Sequence, residues 1–169
     1  NPVYAAQELL QQGIRVARGG GLLYIYDKDS GRYVPADERL NLLLITHLGD
    51  YWRPGRADAV TRYLFDVAPS LWEKPPIDRI NCRNGILNVE AQTLERHSAD
   101  YLSPIQIPVT WDAQAECPAI AKFISEVFPE DSNRLAYEIF GVATVPDSRF
   151  QMAMLLIGAG GNGKSVFLQ

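Results

Sequence analysis

The chain has 169 residues, 47% of them hydrophobic and 21% charged, the balance of an ordinary globular protein of about one domain. That excludes a disordered tail, and two cysteines exclude a disulfide scaffold. The longest apolar runs, 40–45 and 152–157, fall far short of the roughly 20 residues a membrane span requires. The net charge is −4, which argues against a generic nucleic-acid binder. The acidic excess, however, is confined to residues 112–138, and twelve of the sixteen bases are arginine. Arg53, Arg56 and Arg62 lie close together, with Arg79 and Arg83 four apart. Arginine suits phosphate contacts and ion pairs. The plainer expectation is that these arginines pair with Asp50, Asp58, Asp66 and Asp78 on solvated faces.

In chain order, residues 3–12 are dense in helix formers and stop at Gly13. Two β-rich runs, 22–27 and 32–36, flank Lys28-Asp29-Ser30-Gly31 and read as a hairpin. Residues 37–48 and 57–67 have helical spacing, separated by a break at Trp52 and Pro54, and the proline-rich stretch 68–76 reads as a loop or linker. Asn84-Gly85 predicts a tight turn within 80–89 because both residues tolerate positive φ. Residues 101–111 are expected to be extended, broken by Pro104 and Pro108. From Pro118 the period becomes helical, with Ile120, Phe123, Ile124, Val127 and Phe128 on one apolar face and Pro129 ending it. Asp131 or Ser132 is expected to cap a further helix that runs to about Phe140 and closes at Gly141. Residues 150–157 predict a buried strand.

The sharpest chemical signal follows that strand. Gly158-Ala159-Gly160-Gly161-Asn162-Gly163-Lys164-Ser165 fits the phosphate-loop pattern, in which backbone N–H groups curl around phosphate oxygens at the start of a helix. Glycines at 158, 160, 161 and 163 permit positive φ and close backbone approach. Lys164 is expected to reach the β- and γ-phosphates of ATP, and the Ser165 hydroxyl to ligate Mg²⁺. A chance match to the four fixed positions is expected in roughly one chain in a few hundred, so the pattern outranks every other candidate. His47 and His97 have no carboxylate or cysteine at ligand spacing and read as structural or exposed. Cys82 and Cys117 lack the further ligands of a zinc site. Glu130 and Asp131 read as cap and turn residues. Tyr24, Tyr26 and Tyr33 read as hairpin core in preference to a base-stacking platform.

Together NGILNV at 84–89, HSADYLSPIQIPVTWD at 97–112, CPAIAKFISEVF at 117–128, EIFG at 138–141 and GAGGNGKSVFL at 158–168 resemble the phage/plasmid and poxvirus-type replicative primase–helicases, whose motor is a superfamily 3 helicase domain. Asn88 departs from the pattern, which has an acidic residue there. The resemblance implies an ATP-driven DNA helicase that assembles as a homo-oligomeric ring, a hexamer, and works with DNA at an origin or fork in the cytoplasm of a bacterial host. The implied fold is an α+β N-terminal region of helices and short β-hairpins, leading into the truncated start of a P-loop α/β ATPase domain. The implied boundaries are 1–112 for the pre-helicase region and 113–169 for the start of the helicase domain. The alternative is a non-enzymatic DNA-docking or oligomerisation module; a small-molecule kinase or GTPase ranks third.

The first residue is Asn1, and Gln169 lies four residues after Ser165, so the expectation is a piece of a longer protein. On its own that piece is expected to have little or no affinity for ATP and to hydrolyse none, because four residues are too few to hold a helix in water.

Overall fold

Helix α1 (Pro2–Gln11) starts where Asn1 Oδ1 accepts a hydrogen bond from the Val3 N–H at 3.0 Å, and it buries Ala5, Ala6 and Leu9. The computed structural model to which it belongs describes residues 1–145, 151 and 153–168. These divide into two units, Asn1–Trp111 and Asp112–Gln169.

In the first unit, β1 (Val16–Gly19), β2 (Leu22–Asp27) and β3 (Arg32–Pro35) form an antiparallel sheet in that order. Gly19 pairs with Leu22 across the Gly20-Gly21 turn, and both turn glycines take positive φ, as a two-residue hairpin requires. The β2–β3 turn spans the expected 28–31, with Asp27 opposite Arg32. Helix α2 (Asp37–Leu48) runs into a 3-10 turn at Gly49–Tyr51, and α3 (Pro54–Val67) begins with proline at its first position. One sheet face carries Leu23 and Ile25 into a core with Leu9, Leu40, Leu44, Val60 and Leu64 from the three helices. This alternation along β2, apolar inward at every second residue, fixes the register of the whole layer.

A second antiparallel sheet holds β4 (Arg79–Cys82), β5 (Gly85–Asn88) and β6 (Thr93–Glu95). Its first turn falls within 80–89 as expected, one residue earlier than Asn84-Gly85, and Gly85 takes positive φ. Cys82 pairs with Gly85, so Arg83 and Asn84 form the loop, and neither has positive φ. Asn84 uses its side chain instead: its carboxamide bonds the Trp111 N–H and C=O, both at 2.9 Å. The stretch 68–76 is likewise no free linker, since Pro69 O accepts from the Arg18 N–H at 2.8 Å and Leu71 N–H donates to Arg18 O at 2.8 Å.

The second unit contains α4 (Pro118–Val127), a 3-10 turn at Glu130–Ser132, α5 (Asn133–Thr144) and a single helical turn, α6 (Lys164–Phe167). Three expectations fail here. Ile120 is exposed whereas Ile124 is buried, because the packed face of α4 is narrower than its apolar face. Helix α5 passes through Gly141 to Thr144. Ser132 makes no capping bond, its hydroxyl turning to Asp131 Oδ1 at 3.0 Å.

The buried strand expected at 150–157 is also corrected. Phe150 and Met152 lie outside the described residues, while 151 and 153–157 take no regular structure. Leu155 and Ile157 are 81% and 84% exposed. Among the described residues both sheets belong to the first unit, and a parallel core strand without neighbours has no ladder to join. The helices and small antiparallel sheets thus make the N-terminal region α+β, and no described residue supplies an ATPase sheet.

Candidate functional site

The loop Gly158–Gly163 delivers the chain to α6, whose burial of Phe167 fixes its place. The Phe167 ring meets Phe128 at a centroid distance of 4.8 Å and Phe140 at 5.0 Å. Gly163 stands at the N-cap with φ +80, and a Cβ there would lie 2.8 Å from Val127 Cγ2. It is therefore required both for its left-handed backbone and for its closeness to α4. Gly160 and Gly161 also take positive φ, as expected, but Gly158 does not. A Cβ at Gly158 would meet only the ends of two flexible side chains, the Asn162 carboxamide and Lys164 Nζ at 2.9 Å, both able to move aside. Lys164 Nζ in turn donates to Asn162 Oδ1 at 2.6 Å. The loop thus folds back on itself, bringing its first glycine, its asparagine and its lysine to one point. Ala159 and Ser165 are exposed beside them.

The other candidates resolve into structural roles. His47 Nε2 lies 3.3 Å from Glu8 Oε2, and His97 Nε2 is 2.9 Å from Cys82 O. Cys82 and Cys117 are free thiols, the Cys82 thiol pushed up in pKa by burial. Glu130 and Asp131 lie in the 3-10 turn. Tyr33 is buried core, with the Tyr26 ring at 5.4 Å and its hydroxyl donating to Ala99 O at 2.8 Å; Tyr24 is half-buried.

The arginine expectation needs revision. Arg62 pairs with Asp66 at 3.2 Å, but Arg79 takes Glu95 at 2.7 Å in preference to Asp78 at 4.0 Å. Arg53 and Arg56 have only carbonyl partners among the described residues, those of Asp50, Tyr51 and Trp52. Carbonyls turned out at the end of a helix attract cations as carboxylates do, which is why spacing to an aspartate did not predict them.

Sequence reading missed a polar hub in the first unit. Asn81, 3% exposed, donates through Nδ2 to Gly31 O at 3.0 Å. Gln106 Nε2 donates to Ser30 O and also approaches Asn81 Oδ1 and Cys82 O at 3.3 and 3.2 Å. The hub ties the β2–β3 turn to β4 and to residues 101–111. Nearby Asp27 is held below the usual carboxylate range, chiefly by the Ser30 hydroxyl, with burial opposing and Arg39 at 2.9 Å assisting. A cavity of about 600 Å³ lined by Arg15, Val16, Tyr33, Val67, Asp100 and Leu102 is mostly apolar, with one cation facing one anion's worth of charge.

Residues 11–129 match the family described as D5 N terminal like. The chain belongs to that family. The D5 N-terminal region is part of the primase–helicase replication proteins of phages and viruses, so membership carries a DNA-replication context, an implied interaction with DNA and an enzyme as parent. No curated protein matches the chain. The matched residues stop at Pro129, ahead of the loop at 158–165. No described helix is long and apolar enough to cross a membrane.

Proposed function

We propose that this D5 N terminal-like chain is part of an ATP-dependent replicative DNA helicase of superfamily 3, from a phage, prophage or plasmid, and that the loop Gly158–Ser165 takes the phosphates of ATP. The observation that carries the reading is the convergence of Gly158, Asn162 and Lys164 in a loop that turns directly into a helix. Backbone N–H groups at such a turn favour anions, and Lys164 adds a full positive charge. In this reading residues 1–112 form the pre-helicase region and 113–169 open the motor. The protein works as a ring, a hexamer, on DNA in the cytoplasm of a bacterial host.

The donor set also fits Mg²⁺. Ser165 offers an exposed hydroxyl next to the lysine, and a hard cation takes oxygen ligands of that kind. Magnesium, when bound, neutralises charge developing on the phosphates. Lys164 holds the triphosphate tail, Gly158 leaves room for it, and Gly163 sets the angle at which the helix begins.

Lys164→Ala in the full-length replication protein tests the reading. ATP-dependent unwinding should fall by roughly a hundredfold or more, the scale of losing one preorganised charge contact. Near-normal ATPase activity in that variant would overturn the assignment.

A second reading, a DNA-docking or oligomerisation module, is favoured by the carbonyl-held Arg53 and Arg56, which pair with no carboxylate among the described residues. Salt-dependent DNA binding or oligomerisation by residues 1–112 supports it, and an inert monomer removes it.

A further inference from the structure

Two tyrosines of the first unit are left uncovered. Tyr4 on α1 and Tyr51 in the 3-10 turn are 68% and 74% exposed, and neither ring has a partner among the described residues. Both line one cavity of about 360 Å³, together with Leu48, Glu8, His47 and Arg56. A phenol ring presents a flat apolar face to whatever enters such a space. The cation is set beside it. Arg56 Nη1 donates to Tyr51 O at 2.7 Å, which keeps the guanidinium close to residue 51, and it pairs with no carboxylate among the described residues. Arg53 is braced in the same way on Asp50 O at 3.1 Å and on Trp52 O. Both arginines stand at the start of α3, whose first turn holds no acidic residue, so the helix dipole adds to their pull on anions.

We propose that this cavity is a single-stranded DNA site, in which unpaired bases stack on the Tyr4 and Tyr51 rings while Arg56, with Arg53 beside it, holds the backbone phosphates. The inference rests on the DNA-docking reading of residues 1–112 and gives it a strand form and a place. Flat rings beside arginines suit a single strand, because a duplex hides its base faces in its own stack. The cavity also contains a carboxylate, Glu8, whose Oε2 lies 3.3 Å from His47 Nε2. A carboxylate accepts from the exocyclic amino groups of bases and repels phosphate. Glu8 therefore suits the base side of a strand, as the arginines suit its backbone.

Fluorescence anisotropy of a dye-labelled, mixed-sequence single strand titrated with this chain tests the site. Replacing both rings, Tyr4→Ala with Tyr51→Ala, should weaken binding by roughly thirtyfold or more, the product of two lost stacking contacts. Both rings are exposed, so an unchanged denaturation midpoint is expected and shows that the loss is not one of folding. Tyr4→Phe with Tyr51→Phe keeps the faces and should bind within about twofold of the unaltered chain. Arg56→Ala should flatten the slope of log affinity against log salt by about 0.7, the value of one phosphate on a single strand. Full affinity in the alanine pair, an equal loss in the phenylalanine pair or an unchanged salt slope overturns the site. So does a duplex of the same sequence that competes as well as the single strand. In each of those cases DNA docking by residues 1–112 still stands, whereas no salt-dependent binding of either DNA form removes that reading and the site together.

Discussion

In the first unit, three helices and a sheet close on one another, and Leu9, Leu44, Val60 and Leu64 are at most 2% exposed. In the second, only Ile124, Ala136 and Phe167 form the buried cluster among the described residues, while Leu135, Tyr137, Leu155, Ile157, Val166 and Leu168 stay exposed. Both stretches are rich in apolar residues, so composition does not separate them. The difference lies in how many faces meet. Unit 1 sets helices against a sheet whose alternating side chains fill the space between layers, whereas unit 2 sets two helices and one helical turn around a single phenylalanine. An apolar residue stabilises only when another surface covers it, and the glycine-rich loop at 158–163 hangs on the region with less coverage.

The comparison is broken most decisively by emptying each core in turn. Leu64→Ala in unit 1 should cost about 3 kcal/mol, the transfer and cavity penalty of a fully buried leucine, read as a lower denaturation midpoint of the main transition. Phe167→Ala in unit 2 should leave that midpoint unchanged and abolish hydrogen-exchange protection of α4 and α5. If Phe167→Ala instead shifts the main transition as far as Leu64→Ala does, the two regions unfold as one and the contrast is void.

The same contrast explains what the sequence disclosed. Helix α4 was legible because Pro118 and Pro129 bracket an apolar period, α2 because residues 37–48 have helical spacing, and the β2–β3 hairpin because its four-residue turn contains Gly31. Strand β1 was missed although Gly20-Gly21 is a good two-residue turn, since VARG at 16–19 is too short to show alternation. Strand β6 is three residues long and fails for the same reason. The expected strand at 150–157 shows the opposite error: an apolar run reports a demand for burial, and only neighbouring chain can meet it. For the site, the glycine and lysine spacing was readable, but the hydrogen bond from Lys164 to Asn162 depends on a side-chain rotamer that spacing does not encode. The polar hub at Asn81 and Gln106 was invisible for a related reason, as its partners are mostly backbone carbonyls 24 to 76 residues away.

That hub offers the next sharpening. Unit 1 is held by polar stitching as well as apolar packing, so Asn81→Ala should cost about 2 kcal/mol by leaving Gly31 O without its buried donor. Gln106→Ala should couple with it, the double variant losing less than the two single costs combined, because the carboxamides also contact each other. Strict additivity in chemical denaturation would mean that the two side chains act separately.

The smallest expected effect lies at alkaline pH and concerns unit 1 alone. Burial pushes both the Tyr33 and Tyr101 phenols up to about 12, Tyr33 with help from the Asp100 carboxylate and Tyr101 from Asp78. Their folded pKa values stand above the unfolded value near 10, so the folded state holds these protons more tightly. The stabilisation is therefore complete below about pH 10 and is lost as pH rises toward 12. Tyr33→Phe removes the hydrogen bond to Ala99 O, at about 1 kcal/mol near neutral pH. It also removes one of the ionisations that destabilise the fold in alkali. The gap between wild type and Tyr33→Phe should accordingly narrow between pH 10 and 12, followed by thermal melting. A gap that stays constant across that window would mean that the Tyr33 phenol ionises as readily in the folded protein as in the unfolded chain, against its place beneath residues 99–103.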